Sequence, residues 1–244
     1  MSNIIHHPAS FKDPSGFVFQ QNNIFYRQVN KCYKDDYDLL MNSGLYGKLV
    51  SKGYLLPHEE INQNFSGSGD WYKTILPRQL GFISYAYEWC FGQLKSAALL
   101  TLAIQKIALG FGMIVKDATS YNVQFIDGKP VFIDTLSFEK YDPSQPWMAY
   151  RQFCECFLFP LLLQKYIKLD IQKLMLSYPD GIPATVTREL LPWKSVFNLG
   201  VGLHVSLPSR IKPGSNTIDY KGKFDSQKMI HLVSNLEDNV KACT

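Results

Sequence analysis

The sequence predicts a helix of about six turns over residues 90–112, CFGQLKSAALLTLAIQKIALGFG. Apolar side chains recur at positions 91, 94, 98 and 102, and also at 99, 103 and 107. A helix that is apolar around most of its circumference cannot leave a face in water, so it must be enclosed by the rest of the fold. Gly110 and Gly112 fit a left-handed cap, after which the chain enters a polar loop.

The loop leads into a predicted hairpin, and three polar side chains flank its strands. Two runs of β-branched and aromatic residues, Val123 to Ile126 and Pro130 to Ile133, surround Asp127-Gly128, which supplies the positive φ angles of a tight turn. Asn122 precedes the first strand and Asp134 follows the second, so antiparallel pairing places them side by side. Asp117 lies on the loop leading in. We expect all three to converge at the open end of the hairpin.

Two carboxylates and an amide in this arrangement suit phosphoryl transfer from ATP. That reaction needs a carboxylate near the acceptor hydroxyl and hard oxygen ligands that hold Mg²⁺ against the phosphates. The same residue types are also ordinary hairpin residues, so a purely structural role stays open.

The words DATSYN and FIDT, in this order and spacing, resemble the catalytic loop and metal site of the protein-kinase-like superfamily, which includes aminoglycoside phosphotransferases and small-molecule kinases. The resemblance implies an α+β fold with a small β-rich amino-terminal lobe and a mainly helical carboxy-terminal lobe. It also implies ATP and Mg²⁺ as cofactors. Asp117 would then be the catalytic base, and Asn122 and Asp134 would be Mg²⁺ ligands.

The sequence departs from that superfamily in three places. Val115-Lys116 replaces the usual loop histidine, Thr-Leu follows Asp134 where protein kinases have Phe-Gly, and a glycine-rich phosphate loop is missing. A first hairpin, with strands Phe17 to Gln20 and Ile24 to Val29, carries Arg27, the predicted phosphate-binding cation. A surface strand arginine is an equally open interpretation of Arg27.

The aromatic run from Phe82 to Trp89 reads as a strand and falls where a hinge between two lobes would lie. Tyr87 and Glu88 are the predicted adenine contacts there, although an aromatic stripe is more often core. The predicted domains are residues 1–89, a reduced amino-terminal lobe; 90–211, the helical lobe with the catalytic hairpin; and 212–244, a polar tail or the start of a linker. The last of these contains a short amphipathic helix, KMIHLVSNLEDNV.

Several other words, among them YRQVN, LPHEE and AYRQFC, resemble the amino-terminal half of bacterial proteins described as S-adenosylmethionine-dependent methyltransferases or nodulation-type proteins. This resemblance covers about residues 12–211. The GxG in LGVGLHV lacks the third glycine and the strand pattern of a cofactor loop, so methyl transfer is assigned to no residue. The alternatives to a phosphotransferase are therefore an inactive kinase-like module associated with a methyltransferase, or a methyltransferase itself.

Composition limits the partners. The net charge of +4, with both signs interspersed, gives no case for nucleic acid. No apolar leader and no uncharged run of ~20 residues is present, so we expect a cytoplasmic protein without a membrane partner. The expected partners are a small-molecule or glycan acceptor and a methyltransferase domain or subunit. Five irregularly spaced cysteines indicate no disulfide framework, and Cys154 and Cys156 are expected to be buried.

Overall fold

The computed structural model describes residues 4–7, 13–168, 170–206 and 225–243. These residues form an α+β fold in which the larger sheet comes from the first part of the chain. That sheet has the strand order β1-β2-β3-β5-β4, all neighbours antiparallel. Its strands are β1 (Ile5–His6), β2 (Gly16–Gln21), β3 (Ile24–Asn30), β4 (His58–Ile61) and β5 (Trp71–Pro77). Two small sheets follow, built from β6 (Met113–Val115) with β9 (Phe138–Lys140) and β7 (Val123–Ile126) with β8 (Lys129–Phe132).

Most of the remaining described residues are helical. The helices are α1 (Lys34–Asn42), α2 (Leu45–Ser51), α3 (Phe91–Leu109), α4 (Tyr150–Phe153), α5 (Phe159–Ile167), α6 (Gln172–Ser177), α7 (Ala184–Leu190), α8 (Leu199–Val201) and α9 (Ser226–Lys241). Short 3₁₀ turns occur at Lys31–Tyr33, Ala86–Glu88, Ser120–Asn122 and Trp193–Phe197. Within the described residues, no helix combines the length and the apolar character needed to cross a bilayer.

The first predicted hairpin is confirmed as β2 and β3. Asn22 and Asn23 take positive φ angles of 51° and 62°, which suit a two-residue turn between twisted strands. Gly16, the glycine before the first predicted strand, is needed for packing, because a Cβ there would lie 1.9 Å from the Gln28 carbonyl oxygen. Arg27 consequently lies in the middle of the sheet, opposite Val18 on one side and Ile75 on the other.

The enclosed helix is confirmed as α3, which is covered from several directions. Residues spread around its circumference are buried, including Leu94, Leu102 and Ile104. The amphipathic helix near the chain end packs an apolar stripe against this core, formed by Met229, Val233, Leu236 and Val240. Lys95 of α3 donates to the Lys241 and Cys243 carbonyls, at 2.9 and 2.6 Å, and so satisfies groups at the end of α9. Residues 212–224 of the predicted polar tail lie outside the described residues.

The second predicted hairpin is confirmed as β7 and β8, with Asp127 and Gly128 at φ 51° and 75°. The Ile133 N–H donates to the Asn122 carbonyl at 2.8 Å, just beyond the paired strands. The β6–β9 pair continues through the Lys116 N–H, which donates to the Ser137 carbonyl at 2.8 Å. These bonds hold the loop before the hairpin beside the segment after it.

The prediction of a strand over Phe82 to Trp89 is wrong. The segment contains the 3₁₀ turn Ala86–Glu88 and runs beside β7 without pairing to it. The side-chain amide of Gln124 provides the bonds instead: its Oε1 accepts from the Ser84 N–H and its Nε2 donates to the Ser84 carbonyl, each at 2.9 Å. A side chain thus replaces the neighbouring strand that the aromatic pattern suggested.

The helical segment from Tyr150 to Ile167 continues through Pro160. A π turn over Cys154–Leu158 joins α4 to α5. In a π turn the N–H of residue 160 would bond to the Glu155 carbonyl, and proline has no such donor, so that carbonyl accepts from the Ile182 N–H at 3.0 Å. Cys154 and Cys156 are buried in this turn, as expected.

Packing explains two further positions. His6 is exposed and lies in β1, with its ring stacked on Phe17 at 4.3 Å. The GxG at Gly200 and Gly202 is helical, and a Cβ on Gly200 would lie 1.6 Å from Asn239 Oδ1. The absence of a side chain at Gly200 therefore allows α8 to pack closely against α9.

Candidate functional site

The loop that carries Asp117 is held by side chains on either side of it. The Val115 N–H donates to Gln105 Oε1 and the Trp147 indole N–H donates to the Val115 carbonyl, both at 2.7 Å. Beyond the aspartate, the Ala118 N–H donates to Gln152 Oε1 at 2.7 Å. The half-buried Asp117 accepts the Thr119 N–H through Oδ1 at 3.2 Å. Side-chain hydrogen bonds thus fix the backbone both before and after Asp117.

Asn122 and Asp134 meet through one serine that sequence reasoning missed. Asn122 Nδ2 donates to the Asp117 carbonyl and to Ser137 Oγ, each at 3.1 Å. Ser137 Oγ in turn donates to Asp134 Oδ2 at 2.8 Å, and the Leu136 N–H donates to Asp134 Oδ1 at 2.9 Å. The structure therefore brings Asp117, Asn122 and Asp134 together at the open end of the hairpin. Serine three residues after an aspartate is a local signal that could have identified Ser137.

Arg27 joins this cluster from the large sheet. Its Nη1 lies 2.8 Å from Asp134 Oδ1, and its Nη2 lies 2.6 Å from Asp13 Oδ2. The side chains of Arg27 and Asp134 are each 14% exposed, so solvent screens this pair only in part. The Nε of Arg27 is buried with no hydrogen-bond partner in the described structure. Asp13 was missed, because its pairing depends on tertiary packing that no local pattern reports.

Tyr87 and Glu88 lie elsewhere. Glu88 Oε2 accepts the Tyr85 N–H at 2.7 Å and so caps the 3₁₀ turn. Tyr87 stacks on Tyr85, with ring centroids 5.4 Å apart, and lines a cavity of about 20 Å³ that has room for a single water molecule. No contact joins these two residues to Arg27 or Asp134 in the described part of the chain. Their roles as adenine contacts stay predictions.

A chain of bonded polar side chains leads to Thr135, the residue after Asp134. Glu60 pairs with Lys73 at 2.8 Å and accepts from the Tyr37 hydroxyl at 3.0 Å. That hydroxyl lies 3.1 Å from His58 Nε2, and His58 Nδ1 lies 3.4 Å from the hydroxyl of Thr135, the residue after Asp134. Burial lowers the pKa of His58 to about 4, so the imidazole is neutral near pH 7.

The remaining cation of the loop is Lys116, which precedes Asp117. Its Nζ donates to Ser15 Oγ at 2.8 Å and lies 4.4 Å from the centroid of the Tyr33 ring. Ser15 belongs to the same turn as Asp13, whose Oδ1 accepts the Ser15 N–H at 2.9 Å. The segment from Asp13 to Gly16 therefore contacts both cations of the cluster, Arg27 and Lys116.

The oxygen atoms of Asp134 and Asn122 are the donors that could bind a metal ion. In the described residues no group of three or more His, Cys, Asp or Glu side chains is close enough to hold one. Mg²⁺ is usually held by one or two carboxylates, with waters and substrate phosphates completing the octahedron. The donor set therefore fits Mg²⁺ carried with a phosphate group better than a metal held by protein alone.

Comparison with known proteins finds sequence similarity to a nodulation protein. The chain is 33% identical over 208 residues to the nodulation protein NoeA of Rhizobium meliloti (strain 1021). The aligned part is 84% of this chain but 43% of NoeA, so the chain spans less than half of that protein. The search with protein-family models found no match.

Among solved structures, vaccinia related kinase 3 aligns with 97% of this chain and 86% of its own, at 12% identity and a TM-score of 0.43.

Proposed function

We propose that the chain has a kinase-like fold, with a β-rich amino-terminal lobe and a helical carboxy-terminal lobe, and that it is an MgATP-dependent phosphotransferase. The acceptor is a hydroxyl of a small molecule or glycan. The observation that carries this proposal is the single bonded cluster of Asp117, Asn122, Asp134 and Arg27. Its members come from a loop, a hairpin and a separate sheet: the Arg27 guanidinium pairs with the Asp134 carboxylate, and the Asn122 amide bonds to the Asp117 backbone carbonyl and, through Ser137, to Asp134.

Asp134 and Asn122 are the residues that hold Mg²⁺. Both amide hydrogens of Asn122 are occupied by the Asp117 carbonyl and by Ser137, which fixes the orientation of the amide and leaves Oδ1 as its ligand atom. Ser137 and the Leu136 N–H hold the Asp134 carboxylate in place. When bound, Mg²⁺ neutralises phosphate charge as it develops during transfer.

Arg27 is the phosphate contact. Its Nε is a buried donor without a partner among the described residues, and a guanidinium binds phosphate oxygens in a fork geometry. Asp13 and Asp134 already occupy its terminal nitrogens, so phosphate entry requires Arg27 to exchange at least one of these contacts. Without a glycine-rich loop, Arg27 carries more of the phosphate binding than its counterpart in a protein kinase.

Asp117 is the catalytic base. One carboxylate oxygen takes the Thr119 N–H, which orients the group, and the other is left to accept the proton of an acceptor hydroxyl. General-base assistance of this kind contributes about 10²- to 10⁴-fold in rate. It contributes little to nucleotide binding, since the acceptor and not ATP meets Asp117.

The test compares wild type with Asp117→Ala at saturating MgATP across sugar and nucleoside acceptors. We expect unchanged ATP affinity and a loss of about 10²- to 10⁴-fold in turnover. Asp127→Asn, in the exposed turn of the same hairpin, is the control and should keep wild-type turnover, because asparagine tolerates the positive φ of this position.

A second candidate is a catalytically inactive kinase-like module that regulates, or delivers substrate to, a methyltransferase domain or subunit. The observation that favours it is the double pairing of Arg27, because an arginine held by two carboxylates is poorly available to ATP. Equal ATP turnover by wild type and Asp117→Ala would support this candidate and contradict the phosphotransferase.

A further inference from the structure

An open groove lies against the loop that carries Asp117. Its volume is about 300 Å³, at the small end of the range for ligand sites. The groove is lined by Lys116, Met148, Ala149, Arg151, Gln152 and Glu155. It is distinct from the cavity beside Tyr87, which has room for one water molecule only.

Two of the lining residues, Lys116 and Gln152, connect the groove to the loop of the proposed base. Lys116 immediately precedes Asp117, and Gln152 receives the N–H of Ala118, which immediately follows it, at 2.7 Å. The groove therefore borders the loop that carries Asp117.

The charged groups that line the groove are predominantly cationic. Lys116 is half-buried, and its Nζ donates to the Ser15 hydroxyl and lies over the Tyr33 ring. Glu139 interacts with Lys116 electrostatically, but no carboxylate of the described residues forms an ion pair with it. Arg151 uses its Nε on Glu155 Oε1 at 2.9 Å, while its side chain is 81% exposed, so the rest of the guanidinium faces solvent. Burial also raises the pKa of Glu155, the one carboxylic acid in the lining, and so disfavours its negatively charged form.

We propose that this groove is the acceptor site and that the acceptor is a hydroxyl compound bearing a carboxylate or phosphate group. Lys116 and Arg151 bind the anionic group, and the hydroxyl faces Asp117. This inference rests on the proposed phosphotransferase activity and names its substrate class. The acceptor oxygen forms a bond to the γ-phosphorus of ATP, the bond from that phosphorus to the β,γ-bridging oxygen breaks, ADP leaves, and the hydroxyl proton passes to Asp117.

Three probes of similar size separate the effect of charge from that of the sugar ring: glucose, glucose 6-phosphate and glucuronate. Binding to the nucleotide-free protein is measured by calorimetry, and ADP formation is measured with MgATP present. We expect one or both anions to bind, and to raise ADP formation, at least about tenfold better than glucose. The two anions distinguish a phosphate from a carboxylate as the recognised group.

Lys116→Gln and Arg151→Gln should each weaken binding of the preferred anion about tenfold or more, and raise its KM with unchanged KM for ATP. Lys48→Gln, on the exposed face of α2, is the control and should change neither. Anion binding that depends on Lys116 and Arg151 in a protein that binds no MgATP would support the groove and contradict the phosphotransferase.

ADP formation that prefers glucose, or is unchanged in both groove variants, would overturn the groove proposal and leave the phosphotransferase intact. Failure of both anions to bind at about 10 mM would also overturn it.

Discussion

Asp134 forms two local bonds, with Ser137 and the Leu136 N–H, and one bond to Arg27 that no short sequence window reports. The carboxylate therefore has a structural task, the neutralisation of Arg27, in addition to its proposed metal binding. The side chain of Arg27 is 14% exposed, and removal of the Asp134 carboxylate would leave Asp13 as its remaining ion-pair partner.

We expect Asp134→Asn to abolish the Mg²⁺-dependent part of ATP binding and to lower the free energy of unfolding of the ligand-free protein by about 1–3 kcal/mol. Chemical denaturation, with and without MgATP, measures both effects. Asp127→Asn makes the same change at the exposed turn of the same hairpin and should alter neither. A variant that keeps the full Mg²⁺ effect would show that Asp134 is a structural residue only.

His58 predicts a pH dependence of stability. Its pKa is about 4 in the folded protein and about 6.5 when unfolded, so the unfolded chain takes up the proton first as pH falls. The His58 contribution is fully present above pH 6.5, declines between pH 6.5 and 4, and amounts to at most about 3 kcal/mol.

His58→Gln should therefore flatten the loss of stability between pH 6.5 and 4, measured by urea unfolding at several pH values. His204, whose pKa burial also lowers, keeps part of the slope in this variant. The exposed His231 provides the control, and His231→Gln should retain the wild-type slope. An unchanged slope in His58→Gln would show that His58 is not held neutral by the fold.

At the scale of elements, the hairpin of β2 and β3 positions Arg27, and Gly16 permits its close packing. A Cβ on Gly16 would lie 1.9 Å from the Gln28 carbonyl oxygen and 3.0 Å from the Leu136 side chain. The same glycine thus lets the sheet approach the segment after Asp134.

Gly16→Ala should lower the free energy of unfolding by about 2 kcal/mol or more and weaken ATP binding with it, because the strands must separate around the new methyl group. Gly47→Ala is the matched control on α2, where a Cβ would meet nothing within 4 Å. Helix propensity predicts that it stabilises the protein by about 0.5–1 kcal/mol. Thermal and urea unfolding measure the change in stability of each variant, which should be negative for Gly16→Ala and positive for Gly47→Ala. Equal changes in the two variants would contradict the close packing inferred for Gly16.

The elements that the sequence predicted well are those specified by local chemistry. The Asp127-Gly128 turn fixes the register of its hairpin, and this register brings Asn122 and Asp134 to the same end. The strand over Phe82 to Trp89 failed because aromatic alternation says nothing about the partner; Gln124 supplies those bonds from its side chain. The sequence pattern placed Arg27 on the correct strand. Its ion pairs with Asp13 and Asp134 depend on how the sheet packs on the hairpin.

At the scale of the whole molecule, the candidate site exists only in the folded chain, because its residues come from the turn at Asp13, from β3 and from both ends of the β7–β8 hairpin. A ligand that binds this cluster must stabilise the native state as a whole. The gain is RT ln(1 + [L]/Kd), or about 2.7 kcal/mol at a hundredfold excess over Kd.

Thermal unfolding of the wild-type chain with ATP, with Mg²⁺ and with both together tests the central claim most directly. For a domain of this size we predict an increase in Tm of roughly 5–10 °C with MgATP, and a much smaller change with ATP or Mg²⁺ alone. An unchanged Tm at millimolar MgATP would contradict a nucleotide site at Arg27, Asn122 and Asp134.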